Sequence, residues 1–120
     1  MLVVEDEQAL RAFICRVLVG DGWDVLEASD GREALGVLQD DVAGVDLLIT
    51  DIVMPEISGP ELASRVAVDH PDLPVIFTSG YTDSRIAGRS FDEDAADLLR
   101  KPFLPEDLRR RAREAVGARP

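Results

Sequence analysis

The chain is poor in the residues that most often advertise chemistry: it has one cysteine, Cys15, one histidine, His70, and an aromatic content of 5%. A single cysteine excludes an internal disulfide and any zinc site built on cysteines. The apolar neighbours Ile14, Val17 and Leu18 make Cys15 a thiol of the core or its boundary rather than a nucleophile. Long apolar runs are also missing. None approaches the roughly 18 to 20 residues of a membrane span, and no basic segment followed by an apolar stretch opens the chain as in a signal peptide. A soluble, cytoplasmic protein without membrane contact is the expectation. Positive charge is scarce too, with 13 Lys and Arg against 24 Asp and Glu and a net charge of -11, which argues against a nucleic-acid partner because phosphate contact needs a basic face. The deficit is uneven. Residues 1–100 carry 7 basic against 21 acidic side chains, whereas residues 101–120 carry 6 against 3.

What is present is enough apolar material, 46% of 120 residues, for one ordinary buried core. Leu2-Val3-Val4 reads as a buried strand, and Ala9, Leu10, Phe13, Ile14, Val17 and Leu18 follow at helical spacing up to Gly20-Asp21-Gly22. Trp23 to Ala28 reads as a second strand, and Ser29 or Asp30 is placed to cap a helix with the apolar face Ala34, Leu35, Val37 and Leu38. Val45 to Thr50 is a near-continuous apolar strand of the kind found in a sheet covered on both faces. Pro60 suits a first helical turn ahead of Leu62, Ala63, Val66 and Ala67, and His70-Pro71 closes that helix. Leu73 to Thr78 reads as a fourth strand, a weak helix is expected within Asp83 to Arg89, Leu98-Leu99 as a fifth strand, and Pro105 opens a final helix. Such alternation predicts an α/β, doubly wound, five-stranded parallel sheet of flavodoxin-like order 2-1-3-4-5. Residues 1–120 read as a single domain with no internal linker or repeat, beginning almost directly in its first strand, as a domain cut from a longer protein or a single-domain protein would.

Four polar segments stand at or just beyond strand ends: Glu5-Asp6, Asp51, Ser79-Gly80 and Lys101-Pro102. In an open parallel sheet these ends share one edge, so three carboxylates, a hydroxyl and an ammonium converge on one crevice. Two unpaired carboxylates about 4 Å apart repel by roughly 4 kcal/mol at an effective dielectric near 20. A divalent cation removes the conflict, and an all-oxygen set with room for water and phosphate oxygens suits Mg2+. Solvated strand-end acids are the plainer reading of the three acids alone. Lys101 changes the balance by bringing a compact charge to the same edge, and Ser79 adds a hydroxyl that can donate to a phosphoryl oxygen. Ser79 as a hydrolase nucleophile is disfavoured, since no Gly-x-Ser-x-Gly elbow surrounds it and His70 lies before the preceding strand.

These residues resemble the receiver domain of bacterial two-component response regulators. Leu-Val-Val-Glu-Asp-Glu at 2–7, Leu-Ile-Thr-Asp-Ile-Val-Met-Pro at 48–55 followed by Gly59, Pro-Val-Ile-Phe-Thr-Ser-Gly-Tyr at 74–81 and Lys-Pro-Phe at 101–103 occur in the family's order over essentially the whole chain. Phe-Thr-Ser-Gly-Tyr together with Leu-Leu-Arg-Lys-Pro-Phe looks like receivers attached to hybrid histidine kinases. The resemblance implies a signalling domain of a phosphorelay, not a metabolic enzyme, although a full-length hybrid protein would be a kinase. It implies that Asp51 accepts a phosphoryl group from phosphohistidine of a histidine kinase or histidine phosphotransfer domain. It further implies that Asp6, Asp51 and the carbonyl of Val53 bind Mg2+, that Glu5 acts through a metal-bound water, that Lys101 balances charge and that Ser79 moves toward the phosphate.

Two positions depart from chemotaxis-type receivers. Leu98 stands where many members carry a swinging aromatic, and Val53 stands where a polar side chain can position hydrolytic water, which together with Tyr81 implies slow dephosphorylation. An aspartate-nucleophile, magnesium-dependent phosphatase is the alternative reading of carboxylate, lysine and metal; its usual second acid, two residues after the nucleophile, is here Val53. Arg109, Arg110, Arg111 and Arg113 follow Glu106-Asp107 on the last helix, where the dipole favours them. They read either as a solvated face or as a basic surface for an acidic partner, such as Asp92 to Asp97 of a second copy in a homodimer through the last helices.

Overall fold

The structure is a computed structural model that describes residues 1–40, 45–80 and 98–117. The helix expected within Asp83 to Arg89, Tyr81 and the acidic stretch Asp92 to Asp97 lie outside the described residues. The chain runs through β1 (Leu2–Val4), α1 (Gln8–Gly20), β2 (Leu26–Ala28), α2 (Gly31–Asp40), β3 (Leu48–Asp51), α3 (Gly59–Asp69), β4 (Val75–Ser79), β5 (Leu98–Arg100) and α4 (Pro105–Gly117). Every strand pairing is parallel and the order is β2-β1-β3-β4-β5, as the alternation of elements predicts.

Alternate residues of the central strands serve two cores. Leu2, Val4 and Leu48 pack with Ala34 and Leu38 of α2 and with Leu62 and Val66 of α3. Val3, Ile49, Ile76 and Leu99 pack on the other face with Ile14 and Leu18 of α1 and with Leu108 and Ala112 of α4. Because both faces are covered, these strands need apolar residues at every position rather than at every second one, which is why they read as unbroken runs. Strand ends differ from expectation by a few residues. β2 begins at Leu26, not Trp23, because β1 offers only Leu2 to Val4 as partner; Leu26 N–H donates to the Met1 carbonyl at 2.8 Å and the amino terminus donates to the Asp24 carbonyl at 2.8 Å. β4 extends to Ser79, so this hydroxyl sits in the last ladder position rather than in the turn beyond it.

Short polar contacts start the helices. Asp30 Oδ1 accepts from the Glu33 N–H at 2.8 Å, and Glu33 Oε2 reaches back to the Ser29 N–H at 3.3 Å and hydroxyl at 2.7 Å. Both candidate caps are thus used, Asp30 as the cap and Ser29 as the return partner. Ser58 Oγ accepts from the Glu61 N–H at 3.2 Å ahead of α3, whose Pro60 lies where a helix has no internal use for an N–H.

The arginines of α4 are held largely within the chain. Arg113 forks onto the Asp21 carboxylate, with Nε to Oδ2 at 3.0 Å and Nη2 on Oδ1, and this guanidinium holds the Asp21 carboxyl below its usual range. Arg111 Nη2 donates to the Leu98 carbonyl at 2.6 Å, and Arg110 pairs with Asp107 at 3.3 Å and Glu114 at 4.0 Å. Cys15 is half-buried, and burial, seconded by Glu27, pushes its thiol up to about 11, so it remains protonated and inert at neutral pH. Trp23 packs with the α1 and α4 side of the sheet.

Replacing Asp30 with Ala removes the acceptor of the α2 cap and is expected to lower the unfolding free energy by about 1 kcal/mol. Urea unfolding should show a lower midpoint at unchanged m-value. An unchanged midpoint would remove the cap from the account of α2.

Candidate functional site

The carboxyl ends of β1, β3 and β4 and the residue after β5 meet at one edge because the parallel register aligns them. Val4 lies opposite Thr50, Asp51 opposite Thr78 and Ser79 opposite Arg100. Glu5 therefore follows β1 beside the last residue of β3, and its N–H is held by the Ala28 carbonyl at 3.1 Å. Lys101 continues from β5 with its N–H on the Ser79 carbonyl at 2.8 Å, followed by a cis peptide bond to Pro102.

Glu5, Asp6 and Asp51 each offer an oxygen within 4.8 Å of the others. Glu5 and Asp51 are buried, at 2% and 5% exposure, while Asp6 is exposed. Lys101 Nζ lies 3.1 Å from Asp51 Oδ2 and 3.5 Å from Glu5 Oε1, so one ammonium serves two buried acids and satisfies only one oxygen of each. Glu5 Oε2 and Asp51 Oδ1 are buried with no hydrogen-bond donor. Burial first, and then the neighbouring Asp51 carboxylate, push the Glu5 carboxyl up to about 8 against the pull of Lys101. Two orphaned buried oxygens beside an exposed carboxylate form a donor set that fits a hard, oxygen-seeking cation with solvent on one side. Both the structure and its electrostatics thus leave room for positive charge that Lys101 alone does not supply.

A family model of the response regulator receiver domain matches residues 1–113. The chain belongs to the response regulator receiver domain family. It is 39% identical over 117 residues to the sensor kinase CckA of Brucella abortus, covering 97% of this chain and 12% of CckA. It is 36% identical over 108 residues to the response regulator receiver protein CpdR of Brucella abortus, covering 90% of this chain and 88% of that one. Among solved structures, the receiver domain of the hybrid histidine kinase CckA superposes with a TM-score of 0.80 at 36% identity over 96% of each chain. This receiver thus spans a small part of one curated relative and most of the other. Receivers are the phosphoacceptor domains of two-component systems and work with histidine kinases or phosphotransfer partners. In this one, no described helix is long and apolar enough to cross a membrane.

Within the receiver, Glu5, Asp6, Asp51 and Lys101 form one cluster, whereas Ser79 and Val53 stand beside it. Ser79 is fully buried, and its hydroxyl donates to the Gly80 carbonyl at 3.4 Å, with no bond to the carboxylates. Val53 is half-buried in the loop after β3. Two supports of the site escape a reading of strand-end residues. Arg11 Nη1 donates to the Glu5 carbonyl at 2.8 Å while its Nε pairs with Glu27 at 3.1 Å, which ties the end of β1 to α1 and β2. Gly59 donates its N–H to the Ile52 carbonyl at 2.8 Å, and a Cβ there would stand 2.1 Å from the Asp51 carbonyl oxygen. Any side chain would push the start of α3 away from the backbone of Asp51. The position of Gly59 in the sequence hints at this requirement; Arg11 carries no such mark, because its contacts depend on where α1 lands.

A carboxyl whose folded-state pKa is raised from 4.5 to about 8 favours folding fully below pH 4.5, and that contribution is lost as pH rises through about 8. In chelator, thermal unfolding of the wild type should fall across this window more steeply than that of Glu5→Gln. Parallel pH profiles for the two proteins would show that Glu5 is not the group responsible.

Proposed function

We propose that Asp51 is the carboxylate of this receiver that takes a phosphoryl group from phosphohistidine. The observation that carries this reading is the contact of Lys101 Nζ with Asp51 Oδ2 at 3.1 Å in a pocket that also holds Glu5 and Asp6. An Asp51 oxygen attacks phosphorus, the P–N bond breaks with its electron pair passing to the imidazole nitrogen, and the products are an acyl phosphate and neutral histidine. Asp6, Asp51 and the backbone carbonyl of Val53 would hold Mg2+, with Glu5 acting through a bound water. The ion would supply neutralisation of the charge on the transferring oxygens.

Lys101 guards Asp51 at rest and is within reach to follow the phosphoryl oxygens after transfer, as a compact charge with three donors. Ser79 exchanges its weak bond to the Gly80 carbonyl for a phosphoryl oxygen. That movement is felt in β5 through the Ser79 carbonyl that receives the Lys101 N–H. With Leu98 in place of an aromatic, the output travels through backbone and packing by a bias between two states that the phosphoryl group favours unequally. The likeness to CckA supports a place beside a histidine kinase, in a cytoplasmic phosphorelay. Membership in the receiver family, with Val53 where a phosphatase needs its second acid, sets aside the phosphatase alternative.

Incubation with a small phosphodonor and magnesium should leave one persistent phosphate per chain, absent in Asp51→Asn, as read by intact mass. Rapid multiple turnover of phosphomonoesters would instead mark a phosphatase. Val53→Asn should shorten the lifetime of the phosphorylated form severalfold, because an amide at that position can hold the attacking water; an unchanged decay rate would count against Val53 as the cause of slow hydrolysis.

A further inference from the structure

The loop from Ile52 to Ser58, which carries Val53, is held by contacts that its own sequence does not explain. At its base Gly59 N–H bonds the Ile52 carbonyl at 2.8 Å. At its tip the Ile57 N–H bonds the Pro55 carbonyl at 2.8 Å, around Glu56 with φ of 66°. A three-residue turn with a positive central φ is the rare and strained form, and glutamate has no side-chain chemistry that relieves it. Such a conformation persists only where the surroundings over-determine it.

Those surroundings are the first two residues of α2. Ile57 is 6% exposed and belongs to the core between the sheet and helices α2 and α3. A Cβ on Gly31 would stand 2.9 Å from Ile57 Cβ and 3.1 Å from its Cγ2, so the helix start and the loop touch as closely as a glycine allows. Immediately beside this contact, Arg32 Nε pairs with Glu56 Oε2 at 2.8 Å, bridging the outer surface of the same two elements. α2 is anchored in turn by the reciprocal bonds of Ser29, Asp30 and Glu33.

We propose that Gly31 and Arg32 act as a clamp that holds the strained turn at Glu56 and thereby positions the Val53 segment at the cation site. Gly31 admits Ile57, and Arg32 closes over Glu56. The role in cation binding rests on the reading of Val53 as a metal-binding carbonyl. These are positioning residues, since neither touches the carboxylates.

The pair is exposed, with side chains at 76% and 62%, so its removal leaves global stability nearly untouched while shifting a local equilibrium a few-fold. Charge reversal separates a clamp from a simple field effect. Arg32→Glu makes the region more negative, and a field effect alone would tighten the binding of a cation; loss of the clamp weakens it.

The test is titration of the full 120-residue chain with magnesium chloride alone, together with amide hydrogen exchange on the metal-free protein. In Arg32→Glu and Glu56→Arg, the dissociation constant should rise about threefold, the size expected for an exposed pair, and the Ile57 amide should exchange faster at unchanged melting temperature. The double variant Arg32→Glu/Glu56→Arg should return both readouts toward wild type. Gly31→Ala, a better helix former that displaces Ile57, should weaken binding as well. Equal or tighter magnesium binding in Arg32→Glu, or a double variant no better than the single ones, overturns the clamp. A wild type that takes up no magnesium overturns the metal reading and the clamp's part in it together, whereas variants that match a magnesium-binding wild type overturn the clamp alone.

Discussion

One ammonium held between two buried carboxylates is the interaction around which this receiver is arranged. Lys101 reaches Asp51 at 3.1 Å and Glu5 at 3.5 Å, yet two oxygens of the same pair remain buried without a donor. Unpaired buried charge is costly, and a protein that kept this cluster for stability alone would do better with apolar side chains. The crowding of Glu5, Asp6 and Asp51 at one edge is therefore a feature that stability alone does not explain. It leaves the site short of positive charge, a deficit of the kind a divalent cation offsets. The Glu5 carboxyl is raised first by its burial and then by the Asp51 carboxylate beside it, against the pull of Lys101.

The rest of the fold holds this unfavourable cluster in place. A sheet with apolar residues on both faces positions four strand ends in register, and the alternating core contacts of Leu2 and Val4 on one side and Val3 on the other keep β1 from slipping by a residue. Close backbone approach does the remaining work. Gly59 lets α3 start against the backbone of Asp51, and Arg11 fixes the carbonyl of Glu5 from the opposite side. The phosphoacceptor candidate is thus gripped through its main chain, which leaves its side chain available for chemistry.

Most of the architecture was legible in the order of residues. Apolar runs at Leu2 to Val4 and around Leu47 to Ile49 read as buried strands, helical spacing marked α1, α2 and α3, and Pro105 marked the start of α4. Strand limits were less legible, because β2 begins where β1 first offers a partner rather than where its own apolar residues begin. The basic residues of α4 read either as a solvated face or as a surface for a partner; that Arg113 pairs with Asp21 and Arg111 with the Leu98 carbonyl was not legible, because these contacts are set by helix docking across long sequence separations.

Sequence alone determined the fold class, the family and the convergence of Glu5, Asp6, Asp51 and Lys101, since strand order and alternation follow from local pattern and from the handedness of parallel crossovers. Tertiary structure decided the electrostatics: which oxygens Lys101 satisfies, which stay orphaned, and that the Ser79 hydroxyl meets the Gly80 carbonyl. It also decided that Gly31 and Arg32 meet the loop after Asp51. The physical reason is the same in each case. Local pattern depends on neighbours a few residues apart, whereas burial, charge pairing and backbone approach depend on distances that exist only once helices and strands have packed.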